Sequence, residues 1–391
     1  MNHRQLFLQH VAQTSEAPLG LHIVRAQGVY QYSAEGKKYI DLISGFSVAN
    51  IGHSHPKVVA AVQQQAAAFM HVIVYGEFIQ TPQVAYAHLL AKHLPESLNC
   101  VYFTNSGTEA TEGAMKLAKR VTGKTKILCA NNSYHGSTQG ALSLMGSEYW
   151  RNAFRPLLPQ VYHFNYDSDE LVDAIDTDTA CVILEPIQAE SGSTKPRKEW
   201  LQAIRKKCND TCTLLIFDEI QVGFGKTGTL WAFEQFGVVP DVLLLGKALG
   251  GGMPLGAFVA HQSLMSTLTK NPVLGHISTF GGHPVSCAAG MAAMEVLLET
   301  GWVQQVNEKA AWFMQELAGY DVRMNGLLGS VHTGSFERTK AVVHHCLENG
   351  LITDWFLFEQ ERIRISAPLC ITKEEVVEAC SILKQALQAC T

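Results

Sequence analysis

No apolar run in this 391-residue sequence approaches the roughly 18 residues that a membrane-spanning helix needs. Its opening, MNHRQLFLQHVAQTSEAPLG, is polar and broken, so no signal peptide is expected there. Charge of one sign is scarce: 30 basic against 35 acidic side chains leave a net charge of −5. That balance offers no electrostatic case for a nucleic-acid or membrane-surface partner. The ten cysteines lack paired spacing. Cys208 and Cys212 have no second pair to complete a zinc site, and Cys129, Cys181 and Cys287 lie in apolar or small-residue stretches. Such usage points to reduced core thiols and a cytoplasmic setting rather than a disulfide framework. His53 and His55 of GHSHP stand without a carboxylate or thiol cluster, so no metal site is expected. Repeats and low-complexity linkers are missing too.

What remains is the composition of a soluble globular enzyme, 47% hydrophobic and 17% charged, in a chain long enough for two packed lobes. Residues 25–50 read as short strands separated by Gly-containing turns. From residue 56 helices and strands alternate. HPKVVAAVQQQAAAF, TPQVAYAHLLAKHL (Thr81 as N-cap, Pro82 first in the helix) and EATEGAMKLAKRV read as helices. CVYFTN, KILCA, QVYHF, ACVILEP, TLLIFDE and DVLLLG are continuous apolar runs, as strands covered on both faces should be. The expected fold is therefore α/β with a mostly parallel sheet. From residue 284 the pattern turns strongly helical, then ends in short strands around RIRIS and a final helix. The expected division is an N-terminal segment 1–50 that joins a small domain, a large domain 51–283, and a C-terminal α+β small domain 284–391.

Chemistry concentrates where functional groups gather in parallel α/β sheets, at the carboxyl ends of strands. TNSGTEA sets Ser106, Gly107 and Thr108 between a strand and a helix. Hydroxyls and open backbone N–H groups at a helix N-terminus suit a phosphate, though an ordinary capped turn reads the same way. Asp218 ends the run LLIFD, where burial would be costly without a cationic or donating partner. Lys247 follows DVLLLG, and an apolar, Gly-rich setting favours the neutral amine that condenses with aldehydes. The Gly-Gly-Gly behind it is read as letting backbone pass close to a cofactor. A phosphate cup, a buried Asp and an activated Lys together suggest pyridoxal 5′-phosphate. A rival lies in GFGKTG, which spells GxGxxG and nearly a Walker A loop. It stands past the strand, no acid follows at the usual distance, and Ile220 occupies the first Walker glycine.

In sequence order come Gly28, Tyr30, Gly36, Tyr39 and Asp41, then GHSHP, NSGTEA, YHG, EPIQAE, FDEIQVGFGKTG, GKALGGGMPLGA and TFGGHP. This series resembles the class III aminotransferases, the ornithine, acetylornithine and 4-aminobutyrate transaminase group of fold-type I pyridoxal-phosphate enzymes. The likeness runs from about residue 20 to 380. It implies a large lobe with a mostly parallel seven-stranded sheet sandwiched by helices, beside a smaller α+β lobe. It implies that Lys247 binds the cofactor's aldehyde and carries a proton between the substrate carbon and C4′. Asp218 would pair with the ring nitrogen and Gln221 would lie near the ring hydroxyl. Ser106, Gly107 and Thr108 would hold the phosphate, Tyr134 would stack on the ring, and His135 would lie behind it. Thr279 of STFGG would reach the phosphate of a neighbouring subunit's cofactor, which implies a homodimer with shared active sites.

On the substrate side the resemblance points to Glu190, Arg364, Phe46 and Ser137. Alternation along RIRIS puts Arg362 and Arg364 on one face, so either could turn to the pocket. The resemblance makes Arg364 the carboxylate clamp for an oxo acid and Glu190 the glutamate that covers it while an amine donor is bound. Relatives usually read HGRT where this chain reads HGST, so Ser137 replaces a carboxylate-binding arginine. His283 replaces a frequent Asn, with no clear consequence. The leading expectation is a ping-pong ω-aminotransferase with a 2-oxo acid acceptor, pyruvate or 2-oxoglutarate. Its rivals are an aminomutase or decarboxylase of the same fold, a nucleotide-dependent dehydrogenase or ATPase built on GFGKTG, and a non-catalytic binding module.

Overall fold

A computed structural model describes residues 2–74 and 76–390. Near the start, β1 (Ile23–Gln27), β2 (Tyr30–Ser33) and β3 (Lys38–Asp41) form an antiparallel meander. Seven strands then build the central sheet: β4 (Cys100–Thr104), β5 (Lys126–Ala130), β6 (Val161–Phe164), β7 (Thr179–Leu184), β8 (Leu214–Asp218), β9 (Val242–Leu245) and β10 (Gly256–Ala260). Their spatial order is β4-β10-β9-β8-β7-β5-β6. Only β10 runs against its neighbours. Towards the end, β11 (Val322–Asn325) and β12 (Leu328–His332) precede β13 (Leu351–Ile352) and β14 (Arg362–Ile365). β11, β12 and β14 make a three-stranded antiparallel sheet, while β13 returns to pair parallel with β3.

The central strands are apolar along their length because both faces are covered. Side chains alternate across a strand, so Ile216 and Leu244 enter one core and Leu215, Phe217, Leu243 and Leu245 the other. The first core is closed by helix Gly107–Thr122 through Ala110, Ala114, Met115, Leu117 and Ala118. The second is closed by helix Lys198–Thr211 through Trp200, Leu201, Ile204 and Cys208. Each large apolar side chain so buried contributes about 1.5–3 kcal/mol.

One local expectation needs correction. Helix Thr81–Lys92 is preceded by Gln80 as its N-cap, so Thr81 is already helical and makes no side-chain cap bond. A proline tolerated anywhere in the first turn does not fix the cap position. Of the glycines after Lys247, Gly251 also has a packing reason. A Cβ on Gly251 would come within 2.6 Å of the Ala289 carbonyl, on helix Pro284–Glu299. Among the described residues, no helix is long and apolar enough to cross a membrane.

Candidate active site

The carboxyl ends of the parallel strands converge on a cavity of about 280 Å³. Ser106 caps helix Gly107–Thr122, so the N–H groups of Gly107 and Thr108 in the first turn have no intrahelical acceptor. Those donors and the helix dipole favour an anion. Side chains crowd this edge: a Cβ on Gly107 would meet the Ile220 side chain at 2.6 Å, and one on Gly136 would meet the Thr108 hydroxyl at 2.2 Å. The Thr108 hydroxyl is hydrogen-bonded to that of Thr138 at 2.7 Å. Gly256, where β10 begins, presses on the Ser106 carbonyl, where a Cβ would sit at 2.1 Å.

Asp218 ends β8 inside the protein. Its Oδ1 accepts from the Ile220 amide at 3.0 Å and its Oδ2 lies 2.7 Å from Nδ1 of His135. Burial alone would lower the His135 pKa, but the hydrogen bond and charge of Asp218 prevail and raise it. Nε2 of His135 is buried without a partner. The Tyr134 hydroxyl lies 2.9 Å from that of Ser137. Behind them Glu185 accepts from the amides of Tyr134 (3.2 Å) and Ala189 (2.9 Å). Burial pushes its carboxyl up to about 7, with His135 opposing.

Lys247 stands at φ 49°, in the left-handed region that costs an L-residue roughly 1–2 kcal/mol. Burial lowers its pKa, against the pull of Glu190 and Asp218. From its Nζ a continuous line of hydrogen bonds crosses the pocket. Nζ donates to Oε1 of Gln221 at 2.7 Å, and Nε2 of Gln221 donates to Glu190 at 3.2 Å. Glu190 then accepts both Nη1 and Nη2 of Arg364, each at 2.9 Å. Burial would raise the Glu190 pKa, but the adjacent guanidinium holds it below the usual carboxylate range.

The two arginines of β14 share a face, as alternation requires, and part there. Arg362 is taken by Glu359 and Asp321, and Arg364 alone meets Glu190. Phe46 projects from residues 44–47, where all four residues have positive φ (49°, 59°, 58° and 68°). Asp41 holds that turn by accepting the amides of Ile43 and Ser44. The Phe46 ring covers the Arg364 guanidinium at 5.0 Å.

Ser106, Gly107, Thr108, Tyr134, His135 and Ser137 line the cavity, together with Asp218, Gln221 and Lys247. Thr279 does not line it; it is exposed on the surface. The sequence reading passed over Glu185, although it stands first in EPIQAE, and it passed over Asp354, whose Oδ1 accepts from Nε of Arg364 at 2.7 Å. The rival loop GFGKTG has no room for a nucleotide phosphate. Lys226 is buried, and Cβ atoms on Gly225 and Gly228 would strike Val303 at 2.7 Å and Asn307 at 2.6 Å.

Pyridoxal phosphate suits these residues. Free amides at a helix start face a glycine-walled edge, and a buried carboxylate is backed by a histidine with an orphaned nitrogen.

The Aminotransferase class-III family matches residues 11–387. The acetylornithine aminotransferase of Methanosarcina mazei is 38% identical over 383 residues, covering 94% of this chain and 91% of that protein. Ornithine aminotransferase 1 of Staphylococcus aureus is 37% identical, over 92% of this chain and 93% of that protein. The crystallised ornithine aminotransferase of Toxoplasma gondii, with pyridoxal phosphate at partial occupancy, superposes with a TM-score of 0.90 at 30% identity, covering 99% and 94% of the two chains. A transaminase from the marine bacterium Virgibacillus shares the fold at a TM-score of 0.91 and 24% identity, over 99% of this chain and 98% of that one.

Proposed function

The chain belongs to the class III aminotransferases and is a pyridoxal-phosphate-dependent ω-aminotransferase of fold type I; on that premise we propose the roles of its residues and the class of its donor. The donor is an ω-amine that does not depend on a second carboxylate clamp, and the acceptor is a 2-oxo acid, pyruvate or 2-oxoglutarate. The observation that carries this is the Glu190–Arg364 pair, closed in bidentate fashion, while Ser137 offers a hydroxyl where the family resemblance leads one to expect a guanidinium.

Pyridoxal phosphate supplies an aldehyde that condenses with amines and a ring that accepts the electron pair released when the neighbouring carbon loses its proton. Ser106, Gly107 and Thr108 would hold its phosphate, Tyr134 its ring face, and Gln221 its ring hydroxyl. Asp218, fixed by His135, would face the ring nitrogen as a carboxylate. Lys247 Nζ takes the proton from the carbon that carries the donor nitrogen and returns it on the cofactor side. Water supplies the carbonyl oxygen, so the donor carbon leaves as an aldehyde or ketone and its nitrogen is retained for the second half-reaction. In the second half-reaction Glu190 turns away, and the oxo acid's carboxylate takes Nη1 and Nη2 of Arg364. Lys247 then moves the proton in reverse, and the acceptor leaves as an amino acid. Aminomutase and decarboxylase chemistry needs no such exchangeable clamp, so the pair supports transamination.

A panel of donors and oxo acids tests the donor class. Amines without a carboxylate should convert in the first half-reaction faster than N-acetylornithine. Equally fast half-reactions with N-acetylornithine and 2-oxoglutarate, at the level of a dedicated enzyme, would sink it.

We further propose a homodimer in which Thr279 of one subunit reaches the phosphate site of the other. Supporting this, Thr279 lies on an exposed segment with Val273, Leu274, Ile277 and Phe280. Nearby are exposed Phe78 and Ile79 and a second cavity of about 260 Å³, lined in part by Val84, Tyr102 and Ser278. Contiguous apolar surface of this kind marks an interface. The division into a large domain 51–283 and a small domain of 1–50 with 284–391 is likewise proposed, with helix Pro284–Glu299 as the joint, packed on helices Pro56–Ala68 and Thr81–Lys92. Ten free thiols support a reducing, cytoplasmic setting.

A further inference from the structure

Arg364 is held on every side, and its holders differ in kind. Its planar guanidinium lies over two aromatic rings, Phe356 at 4.3 Å and Phe46 at 5.0 Å. Only its in-plane edge is left for hydrogen bonds. On that edge Nε donates to Asp354 and Nη2 donates to the Trp355 carbonyl at 3.0 Å. Nη1 and Nη2 together donate to Glu190.

Asp354 and Trp355 belong to a segment laced to the strand that carries the arginine. The Arg364 amide donates to the Asp354 carbonyl at 2.9 Å, the Thr353 hydroxyl donates to the Arg364 carbonyl at 2.7 Å, and Trp355 bridges Ile363. These contacts tie the segment to the strand that carries Arg364. Glu190 comes from the loop after β7. Its carbonyl accepts the Phe358 amide at 3.1 Å and its Oε2 the Leu357 amide at 3.3 Å. Its backbone is tied there, so the side chain is what turns away while the arginine stays.

We propose that Asp354 is the positioning residue of the carboxylate clamp: it fixes Nε of Arg364, so the Nη1–Nη2 edge keeps its aim when Glu190 gives way to the oxo acid. Its charge matters as well as its oxygen. A buried guanidinium stripped of its only carboxylate would be left uncompensated, a costly state. With Asp354 in place, the open clamp is still an ion pair, and the exchange replaces one carboxylate by another at constant charge. The proposal rests on reading Arg364 as the oxo-acid clamp.

The test compares pyruvate with an aldehyde acceptor, butanal, which has no carboxylate to clamp, on the loaded enzyme. Asp354→Ala should raise KM for pyruvate roughly 10-fold or more, the effect of losing a charge-assisted hydrogen bond. For butanal, kcat/KM should stay within about threefold. Asp354→Asn, which keeps an oxygen for Nε but not the charge, should recover only part of the pyruvate KM. Equal losses on both acceptors, or an Asn variant no better than Ala, would overturn the proposal. Arg364→Met is the comparator and should erase the preference for pyruvate over butanal. If it does not, the clamp reading itself fails, and the Asp354 role falls with it.

Discussion

Lys226, the lysine of GFGKTG, shows how the same residue type takes a different role outside the pocket. Its side chain is fully buried, donating to the Ala367 carbonyl at 2.8 Å and lying 3.4 Å from the Ser44 hydroxyl. Burial pulls its amine down to about 7, with Asp41 opposing. Between pH 7 and the ordinary lysine pKa, the unfolded chain keeps a proton that the folded chain has lost. Stability therefore rises with pH in that window, by up to about 1.4 kcal/mol per unit. The cost of burying this lysine is full below pH 7 and fades as pH rises. Lys226→Met should remove the slope. Chemical denaturation of both chains at pH 7.0 and 8.5 reads it as a difference, in which the ten thiols cancel; parallel profiles would refute it. Lys247 and Asp218 were legible because each terminates an apolar run that must be a buried strand. Asp354 was not, because nothing local in TDWFLF reveals that it returns to an arginine ten residues later. Nor does sequence spacing reveal that His135 meets Asp218 across 83 residues.

At the scale of elements, the strands covered on both faces announced themselves as continuous apolar runs. β10 did not. GAFVA follows a Gly- and Pro-rich turn, is short, and enters the sheet antiparallel between β4 and β9, a placement that no periodicity encodes. Its first residue is functional in consequence, since only glycine lets the strand lie against the Ser106 carbonyl. The packing role of one glycine after Lys247 was not legible in the sequence. Gly251, at φ 59°, lets the turn Lys247–Gly250 be clamped by helix Pro284–Glu299. The same helix places Gly290 where a Cβ would meet the Leu249 carbonyl at 2.1 Å. The lysine's strained backbone is thus set by a helix outside the pocket. The four-residue left-handed turn bearing Phe46 was equally hidden, because three of its residues are not glycine.

For the whole molecule, the division of labour is between a rigid sheet edge and a clamp brought in from outside it. The sheet supplies Asp218, Lys247 and the turn of Ser106 to Thr108; β14 supplies Arg364, and Glu190 and Gln221 join the two through hydrogen bonds. The exposed apolar surface around Phe78, Ile79 and Phe280 completes the picture only if a second copy covers it. Sedimentation equilibrium at micromolar concentration should give twice the chain mass of 42.9 kDa, whereas a stable, fully active monomer would contradict shared sites. The central claim is that amino transfer runs through Lys247. Steady-state transfer from a carboxylate-free amine to pyruvate, measured for the native chain and for Lys247→Ala with added pyridoxal phosphate, tests it most directly. The account predicts sustained turnover for the native chain and a loss of roughly 10²–10⁴-fold or more for the variant. Multiple turnovers at near-native rate by Lys247→Ala would contradict it.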